Sequence, residues 1–228
     1  MIRAVIFDLD NTLVDFMSLK EKAIISAAEA MMDAGLKMTK TEIVARIKSI
    51  YDQYGFEYQR VFDILMEEIY GAINHKILAS GIVAYRQARE AALVAYPHVH
   101  YTLIELIKKG YRLAVVSDAP AREAWLRLCY LKLHHTFDAV ITHEDTYQYK
   151  PHPAPFQKAL SILGLRPEEA IMVGDWAERD VAGARQLGMR TVFARYGDVF
   201  NTRHAGADYE INDIIELLDI MDKENALS

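Results

Sequence analysis

The chain has a single cysteine, Cys129, among 228 residues. No disulfide can form within it, and no cysteine-rich metal site is possible. Cys129 lies in an apolar run with Leu126, Leu128, Leu131 and Leu133, which predicts a buried structural thiol in a reducing compartment. No apolar stretch approaches the roughly 20 residues needed to span a bilayer. No cluster of Lys and Arg offers the basic face that nucleic-acid binding requires. The formal net charge is −6. That sign does not exclude an anionic substrate, because a bound divalent cation would be the largest local charge and would reverse the field at its site. Met1 to Leu13 carries one basic residue and then acidic ones, the wrong order for export. The expectation is a soluble, cytoplasmic protein with no membrane or nucleic-acid partner.

What is present is an ordinary globular mix, 52% apolar and 25% charged, long enough for one domain or a core with a smaller insertion. Arg3 to Leu9 reads as a strand, since Ala4, Val5, Ile6 and Phe7 form the continuous apolar run of a strand covered on both faces. Helices follow. Ser18 with Glu21, and Thr39 with Glu42, have capping-box spacing. Ala23, Ile24, Ala27, Ala28 and Met31 recur at helical intervals, as do Ile43, Ile47 and Ile50, then Val61, Phe62, Leu65 and Ile69, and a fourth helix is expected between Ile73 and Leu93. Beyond this the pattern alternates. Strands are predicted at Leu113–Val116, Phe137–Ile141, Ile171–Val173, Thr191–Ala194 and Asp208–Ile211, with helices between them and Ile214–Met221 last. Strands alternating with helices imply an α/β fold. The expected core is a Rossmann-like parallel sheet in three α/β/α layers, into which an all-helical segment is inserted.

Ligands bind beyond the carboxyl ends of the strands in such sheets, and four clusters fall there. In Asp8-Leu9-Asp10-Asn11-Thr12, two carboxylates flank one apolar residue. Asp8 can attack phosphorus while Asp10 handles the proton, and Mg²⁺ would take carboxylate oxygens; a turn or helix cap would use the same residues. Ser117-Asp118 can donate a hydroxyl to a phosphate oxygen, or be an ordinary N-cap pair. Lys150 before Pro151 is held out of the helical region and can bridge Asp8 and a phosphate, or lie in a solvated loop. Asp175 after Gly174 suits a metal ligand, and Asp180 five positions later can return to the same place; an acidic helix start is the alternative.

Taken together and in this order, the four clusters resemble the haloacid dehalogenase superfamily of hydrolases, in its phosphatase branch with a helical cap. The resemblance implies Asp8 as the nucleophile that becomes aspartyl-phosphate. It implies Asp10 as general acid and then base, its carbonyl also on the metal, and Asp8 and Asp175 as side-chain ligands with Asp180 close by. The phosphate would be held by Ser117, Lys150 and the backbone around Leu9 and Asn11, with Thr12 and Asp118 in the same cradle. Domains are expected at 1–15 with 97–228 for the core and 16–96 for the cap, with hinges near Val14–Met17 and Ala95–His98. The substrate would be a small phosphorylated metabolite. Tyr and Met residues in the cap would allow a homodimer.

Three positions depart from the family pattern: Asp118 stands where Asn is common, His98 where Gly is common, and Trp176 where a small or polar residue is usual. A phosphomutase would retain Asp10 and the metal. A dehalogenase would need neither, so Asp10, Asp175 and Asp180 argue against it. A phosphonatase would need a cap lysine, for which Lys20, Lys22, Lys40 and Lys48 are candidates, although solvated helix faces explain them more simply. A non-enzymatic phosphate-sensing domain would lack the helical insertion.

Overall fold

A computed structural model describes residues 1–226. The chain divides into two compact units: Met1–Asp15 together with the chain from Val94 onward, and Phe16–Leu93.

The Phe16–Leu93 unit is helical, built from α1 (Phe16–Asp33), α2 (Lys40–Tyr54), α3 (Val61–Tyr70) and α4 (His75–Ala92). Its core is made of the residues that recur at helical spacing, among them Ala27, Met31, Ile43, Ile47, Leu65 and Ile77. Thr39 and Glu42 form the expected capping box at α2. Ser18 does not cap α1, which begins two residues earlier at Phe16. Lys22, Lys40 and Lys48 are exposed as expected. Lys20 is not: its ammonium is buried, donating to the Phe56 carbonyl at 2.5 Å and lying 4.0 Å from the Tyr51 ring centroid. A buried ammonium is tolerated only with such partners. Tyr51 belongs to this core, whereas Tyr54 is exposed and stacks on Tyr58.

The other unit holds a six-stranded sheet of β1 (Ala4–Phe7), β2 (Arg112–Val116), β3 (Ala139–Ile141), β4 (Ala170–Gly174), β5 (Arg190–Ala194) and β6 (Tyr209–Ile211). The spatial order is β3-β2-β1-β4-β5-β6, and every pairing is parallel. The helices are α5 (Val99–Lys108), α6 (Ala121–Tyr130), α7 (His143–Thr146), α8 (Pro153–Leu163), α9 (Ala182–Gln186) and α10 (Leu217–Ala226). One sheet face packs Ile6, Ala114 and Met172 against Phe156, Ala159 and Leu163 of α8. Val5, Phe7, Leu113 and Val115 point the other way and are equally buried. Burying each large apolar side chain contributes about 1.5–3 kcal/mol, which is why the central strands read as unbroken apolar runs.

Cys129 is exposed. It falls on the outer side of α6, whose buried positions are Glu123, Ala124, Arg127 and Leu128; its apolar neighbours in sequence alternate around the helix rather than enclosing it. His98 has φ +62° at the start of α5. That left-handed conformation suits glycine, and the imidazole Nδ1 lies 2.7 Å from Asp213 Oδ2.

Candidate active site

β1 lies between β2 and β4 in the sheet, and Phe7 is in register with Val115 on one side and Val173 on the other. The next residue, Asp8, continues the ladder by donating its N–H to Val173 O at 2.9 Å. Ser117 ends β2 in the same way, its N–H on Ile141 O at 2.9 Å. Three strand ends therefore deliver Asp8, Ser117 and Asp175 to one edge of the sheet.

The chain turns immediately after Asp8. Leu13 and Val14 both donate to Leu9 O, at 2.9 and 3.2 Å, and Asn11 N–H donates to Val14 O at 2.7 Å. Asn11 takes φ +57°, a conformation that asparagine tolerates better than most residues. Two contacts fix the loop from outside. The Thr12 hydroxyl donates to Asp175 Oδ1 at 3.1 Å, and the Tyr196 hydroxyl donates to Thr12 O at 2.8 Å. Burial pushes the Tyr196 hydroxyl well above its ordinary pKa, so it stays a donor. Gly197 passes so close that a Cβ there would sit 1.7 Å from Asn11 O.

Asp180 returns to the site through a single π-helical turn, Ala177–Val181. Its amide donates to Trp176 O at 2.7 Å, and its Oδ2 accepts from Trp176 N–H at 3.0 Å. Gly174 makes room, since a Cβ there would meet Asp180 Oδ2 at 2.3 Å. Asp8, Asp175 and Asp180 each bring a carboxylate oxygen within 4.8 Å of the others, and all three are buried.

One cation stands among them. Lys150 Nζ donates to Asp8 Oδ1 at 2.5 Å and to Val116 O at 3.0 Å, and pairs with Asp180 Oδ1 at 2.7 Å. Its backbone N–H donates to Asp118 Oδ1 at 2.9 Å. Burial opposes the charge on Lys150 most strongly, yet Asp180, Asp8 and Asp118 outweigh it and raise its pKa. Burial also pushes Asp8 up to about 8 against the pull of Lys150, with Asp180 and Asp10 adding to the rise, and raises Asp175 well above the ordinary carboxylate range. Fully ionised, three buried carboxylates facing one ammonium would leave an excess of negative charge. A hard divalent cation bound through oxygens would balance it, and the donor set fits Mg²⁺.

The remaining expected residues fall nearby. The buried Ser117 accepts from Ala119 N–H at its Oγ, 3.2 Å away. Leu9 is fully buried, so its contribution is limited to backbone. The Asp10 carboxylate lies outside the three-carboxylate group; its Oδ1 is 3.2 Å from Arg127 Nε. Asp118 binds Arg179 through its second oxygen, and the Arg179 guanidinium stacks 3.8 Å from the Trp176 ring, which also packs on Phe200. Arg127 and Arg179 were not anticipated as site residues. The signal for Arg127 was present, a charge on the helix face shared with Ala124 and Leu128.

A family model described as haloacid dehalogenase-like hydrolase matches residues 5–194. A glyceraldehyde 3-phosphate phosphatase of Methanopyrus kandleri is 36% identical over 227 residues, covering 97% of each chain. The enzyme of that name from Methanocaldococcus jannaschii is 36% identical over 224 residues, again covering 97% of each. Among solved structures, a HAD phosphatase from Thermococcus onnurineus aligns with TM-score 0.69 at 29% identity, covering 96% of this chain and 98% of the other. With a family model matched over most of its length and relatives that match nearly end to end, this chain belongs to the haloacid dehalogenase-like hydrolases and is one of their phosphatases.

Proposed function

We propose that this phosphatase hydrolyses a small phosphomonoester in a Mg²⁺-dependent reaction through an aspartyl-phosphate on Asp8. The observation that carries the reading is the placement of Lys150 Nζ 2.5 Å from Asp8, beside the Asp175 and Asp180 carboxylates. Asp8 attacks phosphorus as the bond to the leaving oxygen breaks, and Asp10 gives that oxygen its proton. In the second half, Asp10 takes a proton from the attacking water, the Asp8–phosphorus bond breaks, and phosphate leaves. Lys150 and Ser117 hold phosphoryl oxygens, with the backbone of Leu9 to Thr12 around them. Asp8, Asp175 and Asp180 with the Asp10 carbonyl would hold Mg²⁺, which when bound neutralises charge on the phosphoryl group. The helical insertion serves as a cap that excludes water during transfer.

Glyceraldehyde 3-phosphate, named for two relatives, is the first compound to test in a phosphate-release screen over small phosphomonoesters, with Mg²⁺ and with a chelator. The reading requires release with Mg²⁺ and none with chelator. An isomerised sugar phosphate in place of free phosphate would make the protein a mutase. Turnover that survives the chelator would end the metal-dependent reading.

A further inference from the structure

Arg127 is a buried guanidinium that the reaction as described leaves without a task. Its side chain is 6% exposed, on the face of α6 that packs inward with Ala124 and Leu128. Its Nε lies 3.2 Å from Asp10 Oδ1. That oxygen is buried and accepts no hydrogen bond, so the contact is an ion pair, while the Asp10 side chain as a whole keeps 22% exposure. Stability does not account for the arrangement. A buried ion pair taken whole contributes little net, because desolvation offsets the attraction of its two charges.

The Asp10 backbone is set by the turn, with its β-bridge to Val14, but the carboxylate still rotates about Cα–Cβ and Cβ–Cγ. We infer that Arg127 is a positioning residue: its ion pair with Oδ1 holds the Asp10 carboxylate in the orientation that serves the leaving-group oxygen. This rests on the role given to Asp10 above. Its purpose is geometric, since a misplacement of about 1 Å costs on the order of 100-fold in a proton-transfer or attack step.

Leaving-group dependence separates this from a packing role. An alkyl phosphate needs its departing oxygen protonated, whereas 4-nitrophenolate leaves without help. Arg127→Met preserves length and apolar packing, and kcat/KM reports only the steps up to phosphoenzyme formation. With glycerol 1-phosphate, Arg127→Met is expected to lose ~100-fold in kcat/KM, against under about tenfold with 4-nitrophenyl phosphate; any drop in Tm from leaving Asp10 without its cation bears on both substrates alike. Arg127→Lys, which restores a cation, is expected to recover part of the alkyl-phosphate rate. Should Arg127→Met fail to fold, the Lys and Gln variants carry the comparison.

Equal losses on both substrates, or no loss on either, overturn the inference. Asp10→Asn is the control that tells two failures apart. If it loses the alkyl substrate selectively and the Arg127 variants do not, only the role of Arg127 is wrong. If Asp10→Asn shows no selectivity, the proton-transfer role of Asp10 fails and the inference falls with it.

Discussion

Arg179 Nη1 lies 2.8 Å from Asp118 Oδ2, while the other oxygen of that carboxylate accepts the Lys150 amide at 2.9 Å. One side chain thus ties together the segments that follow β2, precede α8 and follow β4. It also answers the charge question raised by an aspartate where asparagine is common: the extra negative charge meets a guanidinium stacked on Trp176. The two side chains are 35% and 18% exposed, so solvent screens part of the attraction and the pair is worth about 1 kcal/mol at most. Removing Arg179 should therefore act through substrate binding more than through folding. Arg179→Ala is expected to raise KM roughly tenfold (about 1.4 kcal/mol) with kcat changed far less. Asp118→Asn combined with Arg179→Ala should recover part of the loss. Unchanged steady-state constants would remove the pair from any functional role.

Asp8→Asn is expected to abolish phosphate release, because an amide cannot attack phosphorus, while circular dichroism and gel filtration remain those of the wild type. Retained turnover would refute the nucleophile assignment.

Lys150→Ala leaves Asp8 and Asp180 facing one another across a buried gap without their ammonium. Stranding buried charge in this way typically costs about 3–5 kcal/mol, and at this chain length a loss near 3 kcal/mol lowers Tm by roughly 6–12 °C. Saturating Mg²⁺ should restore part of it in thermal melts. A Tm equal to wild type without Mg²⁺ would show that the carboxylates share protons and do not need the lysine.

Mg²⁺ held by the Asp8, Asp175 and Asp180 carboxylates would compete with protons for the same oxygens. Asp8 rises from the ordinary 3.8 to about 8, chiefly through burial. In the metal-free protein the native state therefore binds a proton that the unfolded chain releases between those values. That proton stabilises the native state below the window and is lost as pH rises through about 8, so metal-free stability falls across it. Mg²⁺ affinity should run the opposite way, rising from pH 6 to 8 and levelling above, with protons released on binding. Calorimetry in buffers of different ionisation enthalpy measures both. Affinity independent of pH would mean that Asp8 is already ionised.

The sequence made the sheet legible because its strands are buried on both faces and some of its helices stop at glycines. Gly164, for example, ends α8 with φ +63°. The motif residues were legible because strand ends concentrate polar side chains. Three things were not. The start of α1 was misread because Ser18 and Glu21 match a cap spacing that occurs as well inside a first turn. Cys129 was misplaced because apolar neighbours in sequence do not share a helix face. Arg127 and Arg179 matter through partners 117 and 61 positions away; the helix pattern could turn Arg127 inward, but it could name neither partner.

Gly197→Ala provides a stability check on the loop that carries Asp10. A methyl group 1.7 Å from Asn11 O cannot be accommodated by rotating a side chain, because the atom it meets is backbone. The variant should lose about 1–3 kcal/mol together with Mg²⁺ binding. A wild-type Mg²⁺ affinity would show that the loop can shift without disturbing the carboxylates.

The π-helical turn at Ala177–Val181 holds one residue more than an α-turn over the same span. Each residue rotates an α-helix by about 100°, so deleting a single position there would give a more regular helix and swing the carboxylate of Asp180 off Lys150. The irregularity is a register device: mending it by one deletion would leave the helix intact and unhook the acid from its partners.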